Sequence, residues 1–256
     1  MNEQEHLKWK DFWEQQAAVA DPHQAVRGDR IMTREVQAFH DRKLIELLDP
    51  DPGDMMLDAG CGAGDQVLLL GALVSQITAI DFSPAMVERC RVRVAESSNV
   101  TAKTIVETAD VTVLPYADDS FDKAISIAVL QYLNPEESDK MLAEMARVVK
   151  PGGVIVFHVK DLWSPTGIMI TFGRFLRAII KGRPPLEYQY RTHWWYKKKA
   201  RRVGTVEASY AYGTWTPFMP KSMMATIARW ETQHRVIQNR WPHGKEYFVR
   251  VRTSAT

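Results

Sequence analysis

With 256 residues, 45% of them hydrophobic, and a formal net charge of +2, the chain is long enough to bury a substantial core and too apolar to be disordered as a whole. Two cysteines, Cys61 and Cys90, exclude a disulfide framework, and the opening MNEQEHLKWKDFW has no apolar secretion segment, so a reducing, cytoplasmic setting is expected. The apolar stretch VLLLGALV at 67–74 falls far short of the roughly 20 residues that cross a bilayer.

From the N-terminus, Trp9, Phe12 and Trp13 share one side of a predicted short helix, and Val36, Phe39 and Leu44 belong to a second, so that residues 1–50 read as a helical cap. Short β-rich runs then alternate with helical stretches. MMLDAG (55–60), ITAIDF (77–82), KTIVETAD (103–110), AISIAVL (124–130) and GVIVFHV (153–159) read as strands covered on both faces. Asp65 to Leu73, Pro84 to Ala95 and Pro135 to Val149 read as the intervening helices, with Lys150-Pro151-Gly152-Gly153 as a stop. After residue 160 the rhythm changes, and 161–204 reads as an insertion over the substrate region. TVEASYAYG (205–213) and KEYFVRVR (245–252) resume the sheet, with MMATIARWETQHRV as a helix between them. No internal repeat interrupts what reads as one domain spanning 1–256, an α/β parallel sheet with crossover helices.

The chemistry is concentrated in LDAGCGAGD (57–65), at a predicted strand-to-helix turn. Gly60, Gly62 and Gly64 permit a tight turn and a close approach of backbone to ligand, and the N–H groups of the following helix point at whatever binds there. Asp65 stands where the dinucleotide fingerprint requires its third glycine, and no Gly-Lys-Ser/Thr of a phosphate loop follows. Asp81 ends the second strand, where a carboxylate can accept both hydroxyls of a ribose; Asp110 ends the third, where one can accept an adenine amino group. The three markers together indicate a nucleoside site.

LDAGCGAGD, AIDFSPAMV (79–87), ADVTVLPYADDSFD (109–122) and RVVKPGGVIVF (147–157), in that order, resemble the class I S-adenosylmethionine-dependent methyltransferases, particularly the small-molecule group. The resemblance covers about residues 55 to 160. It implies a Rossmann-like doubly wound sheet of about seven strands, mostly parallel with an antiparallel last strand and helices on both faces. It also implies S-adenosylmethionine as cofactor, with S-adenosylhomocysteine as product. On that resemblance the Asp58–Gly64 loop, including Ala59, holds the methionine part, Asp81 the ribose and Asp110 the adenine amino group. Phe82 and Met86 would flank the adenine, Val111 would offer its backbone, and Ala128 would adjoin the cofactor.

Methyl transfer from a sulfonium is an in-line displacement helped by alignment and desolvation, with a base where the acceptor must lose a proton. AVLQY (128–132) is expected to face the reacting methyl, which makes Gln131 and Tyr132 substrate candidates and Tyr132 a catalytic one. Many relatives have histidines at 131 and 132, so the base is sought elsewhere, in His158 near the end of the fifth strand or in His193. The seven histidines are scattered and no metal cluster is visible.

Residues 151–256 hold 7 Lys and 11 Arg against 5 acidic groups, whereas residues 1–150 hold 15 basic and 26 acidic ones. Such asymmetry suggests an anionic partner for one face. In IMITFGRFLRAIIK the apolar positions recur at helical spacing with Arg174, Arg177 and Lys181 on the other side. The expectation is a lid with its apolar face in the core; the alternative is a basic helix in peripheral contact with an anionic membrane surface. In RTHWWYKKKARR, Tyr196, Ala200 and Val203 form a packing stripe opposite Lys197, Lys198, Arg201 and Arg202, which leaves Arg191, His193 and Trp194 at the helix entrance as substrate-region candidates. The expected acceptor is a small molecule, methylated on an oxygen, and hydrophobic, glycosidic or anionic and lipid-like. A nucleic-acid methyltransferase is the first alternative, weakened by the nearly balanced charge and by Asn134-Pro135-Glu136-Glu137, which lacks the second proline and aromatic of an exocyclic-amine box. A non-catalytic cofactor-binding regulator is the second.

Overall fold

The computed structural model describes residues 3–17, 34–161, 165–181, 191–213, 220, 222–223, 226–227, 230 and 246–254. Two helices, α1 (Glu3–Ala17) and α2 (Arg34–Leu48), precede β1 (Met55–Ala59). Then follow α3 (Asp65–Leu70), β2 (Gln76–Asp81), α4 (Pro84–Ala95), β3 (Lys103–Thr108) and β4 (Phe121–Ile127). The chain continues through α5 (Pro135–Val148), β5 (Val149–Lys160), α6 (Pro165–Lys181), α7 (His193–Ala200), β6 (Gly204–Tyr212) and β7 (Glu246–Thr253).

The helix starts follow from local chemistry. Ser83 caps α4 by accepting the Met86 N–H at 3.3 Å, with Pro84 in the first turn. Asn134 and Glu137 form a reciprocal capping box at α5, and Thr192 accepts the Trp195 N–H to open α7.

All seven strands form one sheet in the order β3-β2-β1-β4-β5-β7-β6, and only the pairings of β7, with β5 and with β6, are antiparallel. Side chains alternate between two cores. Leu57, Ile155, Phe157 and Tyr247 enter the one closed by α5 and α7, while Met56, Val154, Val156 and Phe248 enter the one closed by α2 and α3. The chain winds outward from β1 to β3 and returns to β4 beside β1, so the topological switch point lies between the carboxyl ends of β1 and β4, where open α/β sheets bind ligands.

Three expectations are corrected. β4 ends at Ile127 rather than Leu130, because Ala128 adopts a left-handed conformation (φ 61°) and Leu130–Tyr132 coil into a short 3₁₀ turn. β5 starts at Val149, directly out of α5, and the 150–153 stop is a bulge, with pairing to β4 jumping from Phe121↔Val149 to Lys123↔Val154. The apolar side of α6 does not enter the core: Phe172, Ile179 and Ile180 are 61%, 62% and 83% exposed. Tyr196 and Ala200 of α7 are fully buried as the stripe requires, and Lys199 and Arg202 pair with Asp139 of α5. The expected helix MMATIARWETQHRV lies mostly outside the described residues.

Gly60 marks the tightest approach at the switch point. Its φ is +88°, and a Cβ there would lie 2.2 Å from Cγ2 of Val129. Gly60→Ala is expected to cost about 2–4 kcal/mol in chemical denaturation, from backbone strain plus the clash, and Val129→Ala on top of it should restore only the steric part.

Candidate active site

A cleft of about 920 Å³, including the part open to solvent, sits at the switch point. Its floor is the glycine turn: Gly60 and Gly62 line it, and the Gly60 and Cys61 N–H groups are both tied to the Ile80 carbonyl at 2.8 Å. Asp81 lies across this turn. Its Oδ2 accepts the Gly62 N–H at 2.9 Å and its Oδ1 accepts the Ser83 N–H at 3.0 Å, so one carboxylate joins the β1–α3 loop to the start of α4. Burial pushes Asp81 up to about 6, against the lowering effect of the Ser83, Gly62 and Phe82 amides, with Glu14 adding a further upward push. Each oxygen retains acceptor capacity toward the cleft, as a diol requires.

At the next strand end, Asp110 Oδ1 accepts from both the backbone N–H and the hydroxyl of Thr112 at 2.8 Å. Asp110, Val111 and Thr112 form one wall and Phe82 adjoins Asp81. Ala128, held left-handed and donating its N–H to the His158 carbonyl at 2.9 Å, lies opposite on the β4 side with Ile127 and Val129.

Asp58 tests whether this cleft suits the expected cofactor. It is fully buried in β1, two residues before Gly60 and not among the residues that line the cleft, and neither carboxylate oxygen has a hydrogen-bond partner. Burial, then the charges of Asp81 and Asp65, push its carboxyl up to about 8. An unpartnered buried carboxyl is costly unless a donor arrives. The ammonium of an amino-acid group would be such a donor, and ribose and adenine match Asp81 and Asp110. These residues fit S-adenosylmethionine, which when bound supplies an activated methyl group on a cationic sulfur.

Not every expected residue borders the cleft. Ala59 is fully buried and contributes its carbonyl to Ser126 Oγ at 2.8 Å. Gly64 (φ 84°) caps α3 and is pressed against Cys90, where a Cβ would come within 2.6 Å of Sγ. Met86 is buried in α4, 1% exposed. None of these, nor Gln131, which is buried with Oε1 unpaired, is among the lining residues.

The histidine candidates lie elsewhere. His158 turns to the α2 face of the sheet, packed edge-on to His40 and tilted against Phe248 at ring distances of 5.2 and 4.8 Å, with Nε2 3.1 Å from Glu246 and 3.4 Å from the Tyr212 hydroxyl. His193 is buried against Asp161, Nδ1 to Oδ2 2.7 Å, which pins the start of α7 to the end of β5 beside the Asp161–Arg191 bridge. Arg191 lies over the Trp195 ring at 4.7 Å and Trp194 is exposed. The side chains of Arg174 and Arg177 are outside the described residues. Tyr132 alone of the catalytic candidates lines the cleft. No group of metal-binding side chains occurs among the described residues.

What the sequence reading missed is the roof. Trp9 and Trp13 of α1 line the cleft and meet the Tyr132 ring edge-on, at centroid distances of 4.6 and 5.6 Å. Glu14, one residue on, accepts the Ser83 hydroxyl at 3.0 Å, and Arg89 reaches the Ala17 carbonyl, so α1 is fastened to α4 across the cleft mouth. The i, i+4 spacing of Trp9 and Trp13 signalled a shared face, but nothing local told which surface it would cover. Leu133 and Glu137 complete this end.

Residues 57–157 match a family model described as a methyltransferase domain. A demethylmenaquinone methyltransferase of Desulfitobacterium hafniense is 36% identical over 130 residues, 49% of this chain and 49% of that protein. The chain spans about half the length of the curated relatives it matches. Among solved structures, a Haemonchus contortus phosphoethanolamine N-methyltransferase in complex with phosphoethanolamine and S-adenosylhomocysteine aligns with TM-score 0.67 and 16% identity over 100% of this chain and 50% of that one. The [4+2]-cyclase SpnF aligns with TM-score 0.63 and 19% identity over 89% and 84%. At these identities the structural likeness is one of fold. Family match, sheet order and site residues agree: the chain carries a class I S-adenosylmethionine-dependent methyltransferase domain.

Proposed function

We propose that the protein transfers the methyl group of S-adenosylmethionine to a small, apolar acceptor held under α1. The carrying observation is the composition of the cleft. Asp81 and Asp110 stand at the cofactor end; Trp9, Trp13, Tyr132, Val129 and Leu133 stand at the other, and among the described residues no Lys, Arg or His lines the cleft. An anionic acceptor would enter such a cleft with its charge unpaired, beside Asp81, Asp110 and Glu137. This lining favours the hydrophobic acceptor over the anionic one.

The chain's own contribution is binding, alignment and exclusion of water. Asp58, Asp81 and Asp110 hold the cofactor; the Trp9–Trp13–Tyr132 wall orients the acceptor and dries its surroundings, which shortens the approach of nucleophile to methyl carbon. Tyr132 provides a hydroxyl next to the reacting atoms. His158 supports the sheet through Glu246 rather than moving a proton.

Incubation with methyl-labelled cofactor and fractionated cell extract should place label in an organic-extractable compound; label confined to anionic water-soluble metabolites or RNA would overturn the assignment. Trp13→Ala should raise the acceptor KM about tenfold while cofactor affinity changes by less than about threefold, as calorimetry and initial rates will read.

Asp58 makes a pH prediction. Its carboxyl is raised in the folded chain, so it binds a proton that the unfolded chain releases between about pH 4 and 8; ligand-free stability should fall across that window and flatten in Asp58→Asn. Pairing with a cofactor ammonium requires that proton to leave, so S-adenosylhomocysteine affinity should rise from pH 6 to 8. In Asp58→Asn the rise should vanish, with affinity about tenfold or more lower by calorimetry.

His158→Ala should lower stability by about 2–4 kcal/mol, since it removes a buried ring packed against His40 and Phe248 and its contact with Glu246. Turnover per folded molecule should stay within about threefold of the native enzyme, measured at a temperature where both are folded.

A further inference from the structure

α6 carries seven large apolar side chains that stand exposed. Ile168, Met169, Phe172, Phe175, Leu176, Ile179 and Ile180 are 50%, 37%, 61%, 55%, 44%, 62% and 83% exposed. At 100° per residue they fall within an arc of about 140°, continuous over three turns, and positions 174, 177 and 181 lie outside it. Buried Gly167 marks the opposite side, where the helix meets the protein. Scattered exposed apolar residues are ordinary, but a contiguous stripe of this length marks a surface that docks on something.

Charge selects the occupant. Between Asp161 and Glu187 the sequence has Arg174, Arg177, Lys181 and Arg183 and no acidic residue. The helix that follows, α7, adds Lys197, Lys198, Arg201 and Arg202, of which Lys198, Arg201 and Arg202 are exposed. An anionic lipid surface presents the opposite charge, and bulky Phe, Ile and Leu on one face with Lys and Arg on the other is the composition of a helix that lies in the headgroup boundary. Among the described residues no helix is long and apolar enough to cross a membrane, so α6 would lie on a bilayer and not span it.

We propose that α6 is an interfacial helix that docks the protein on an anionic phospholipid bilayer, with the Ile168–Ile180 face in the acyl–headgroup boundary. α6 begins four residues after Asp161, at the carboxyl end of β5, the edge of the sheet at which the cofactor cleft also opens. A bilayer on α6 lies against that rim, where an apolar acceptor can pass from lipid to cleft. Docking itself is independent of the methyl-transfer reading.

The test is co-sedimentation of the full chain, without cofactor or acceptor, with vesicles of phosphatidylcholine alone and of phosphatidylcholine mixed with phosphatidylglycerol. Partition into the anionic vesicles should exceed that into the neutral ones about tenfold or more and decline with added salt. Phe172→Ser with Ile179→Ser should reduce it about tenfold or more. S-adenosylhomocysteine binding, which reports the folded cleft, should be unchanged, and Ile180→Ser alone, at the most exposed position, should act in the same direction. Binding of the double variant equal to that of the native chain would overturn the proposal, as would absence of binding to either vesicle. A lipid-free dimer that the double variant dissociates, without vesicle binding, would also overturn it and assign the face to a second copy.

Discussion

The Asp81 carboxylate is the bond on which the site depends. It sits at the end of β2, buried, and accepts one N–H from the glycine turn after β1 and another from the first residue of the α4 cap. Two loops far apart in sequence are thereby given one geometry. Ser83 extends the connection in both directions, capping α4 through Met86 and donating to Glu14 of α1. Cofactor turn, adenosine wall and aromatic roof are thus connected through three side chains, Asp81, Ser83 and Glu14.

The cleft concentrates acidic charge in a poorly solvated place, and this is consistent with its ligand. Asp58 and Asp81 are both raised by burial, and each also feels a neighbouring carboxyl. A site so arranged is held in readiness for donors: an ammonium, the hydroxyls of a ribose and the cationic sulfur all lower the cost of ionised carboxylates. It is unfavourable for an anion. In the basic third of the chain, Lys199 and Arg202 pair with Asp139, and Arg250 and Arg252 with Glu207.

The two hydrophobic features of the molecule have opposite fates. α1 turns its tryptophans inward and gains a partner in Tyr132; α6 leaves its described isoleucines and phenylalanines exposed. Both helices have apolar residues at 3.6-residue spacing, and periodicity reports only that one face is apolar, not what that face meets.

Local order was legible from the residues alone. β-branched runs gave strands within a few positions, Ser83-Pro84 and Asn134-Pro135 gave helix starts, and Gly60, Gly62, Asp81 and Asp110 marked residues that line one cleft, because each of these depends on neighbours in sequence. Contacts between distant segments were decided only by the tertiary structure. Glu14 meets Ser83 across 69 residues, and the Tyr212 hydroxyl meets His158 across 54. Ala128 ends β4 early because its left-handed turn is held by the His158 carbonyl on the neighbouring strand. His158 reads as a base at a strand end and is instead turned to the α2 face, where Glu246 and Tyr212 accept it, since the side-chain period of two sends alternate residues of β5 to opposite cores. Sequence determined which residues carry chemistry; the register of β5 against β7 and the rotation of α1 and α6 about their axes decided which of them share a cavity, because burial is set by long-range packing and not by spacing along the chain.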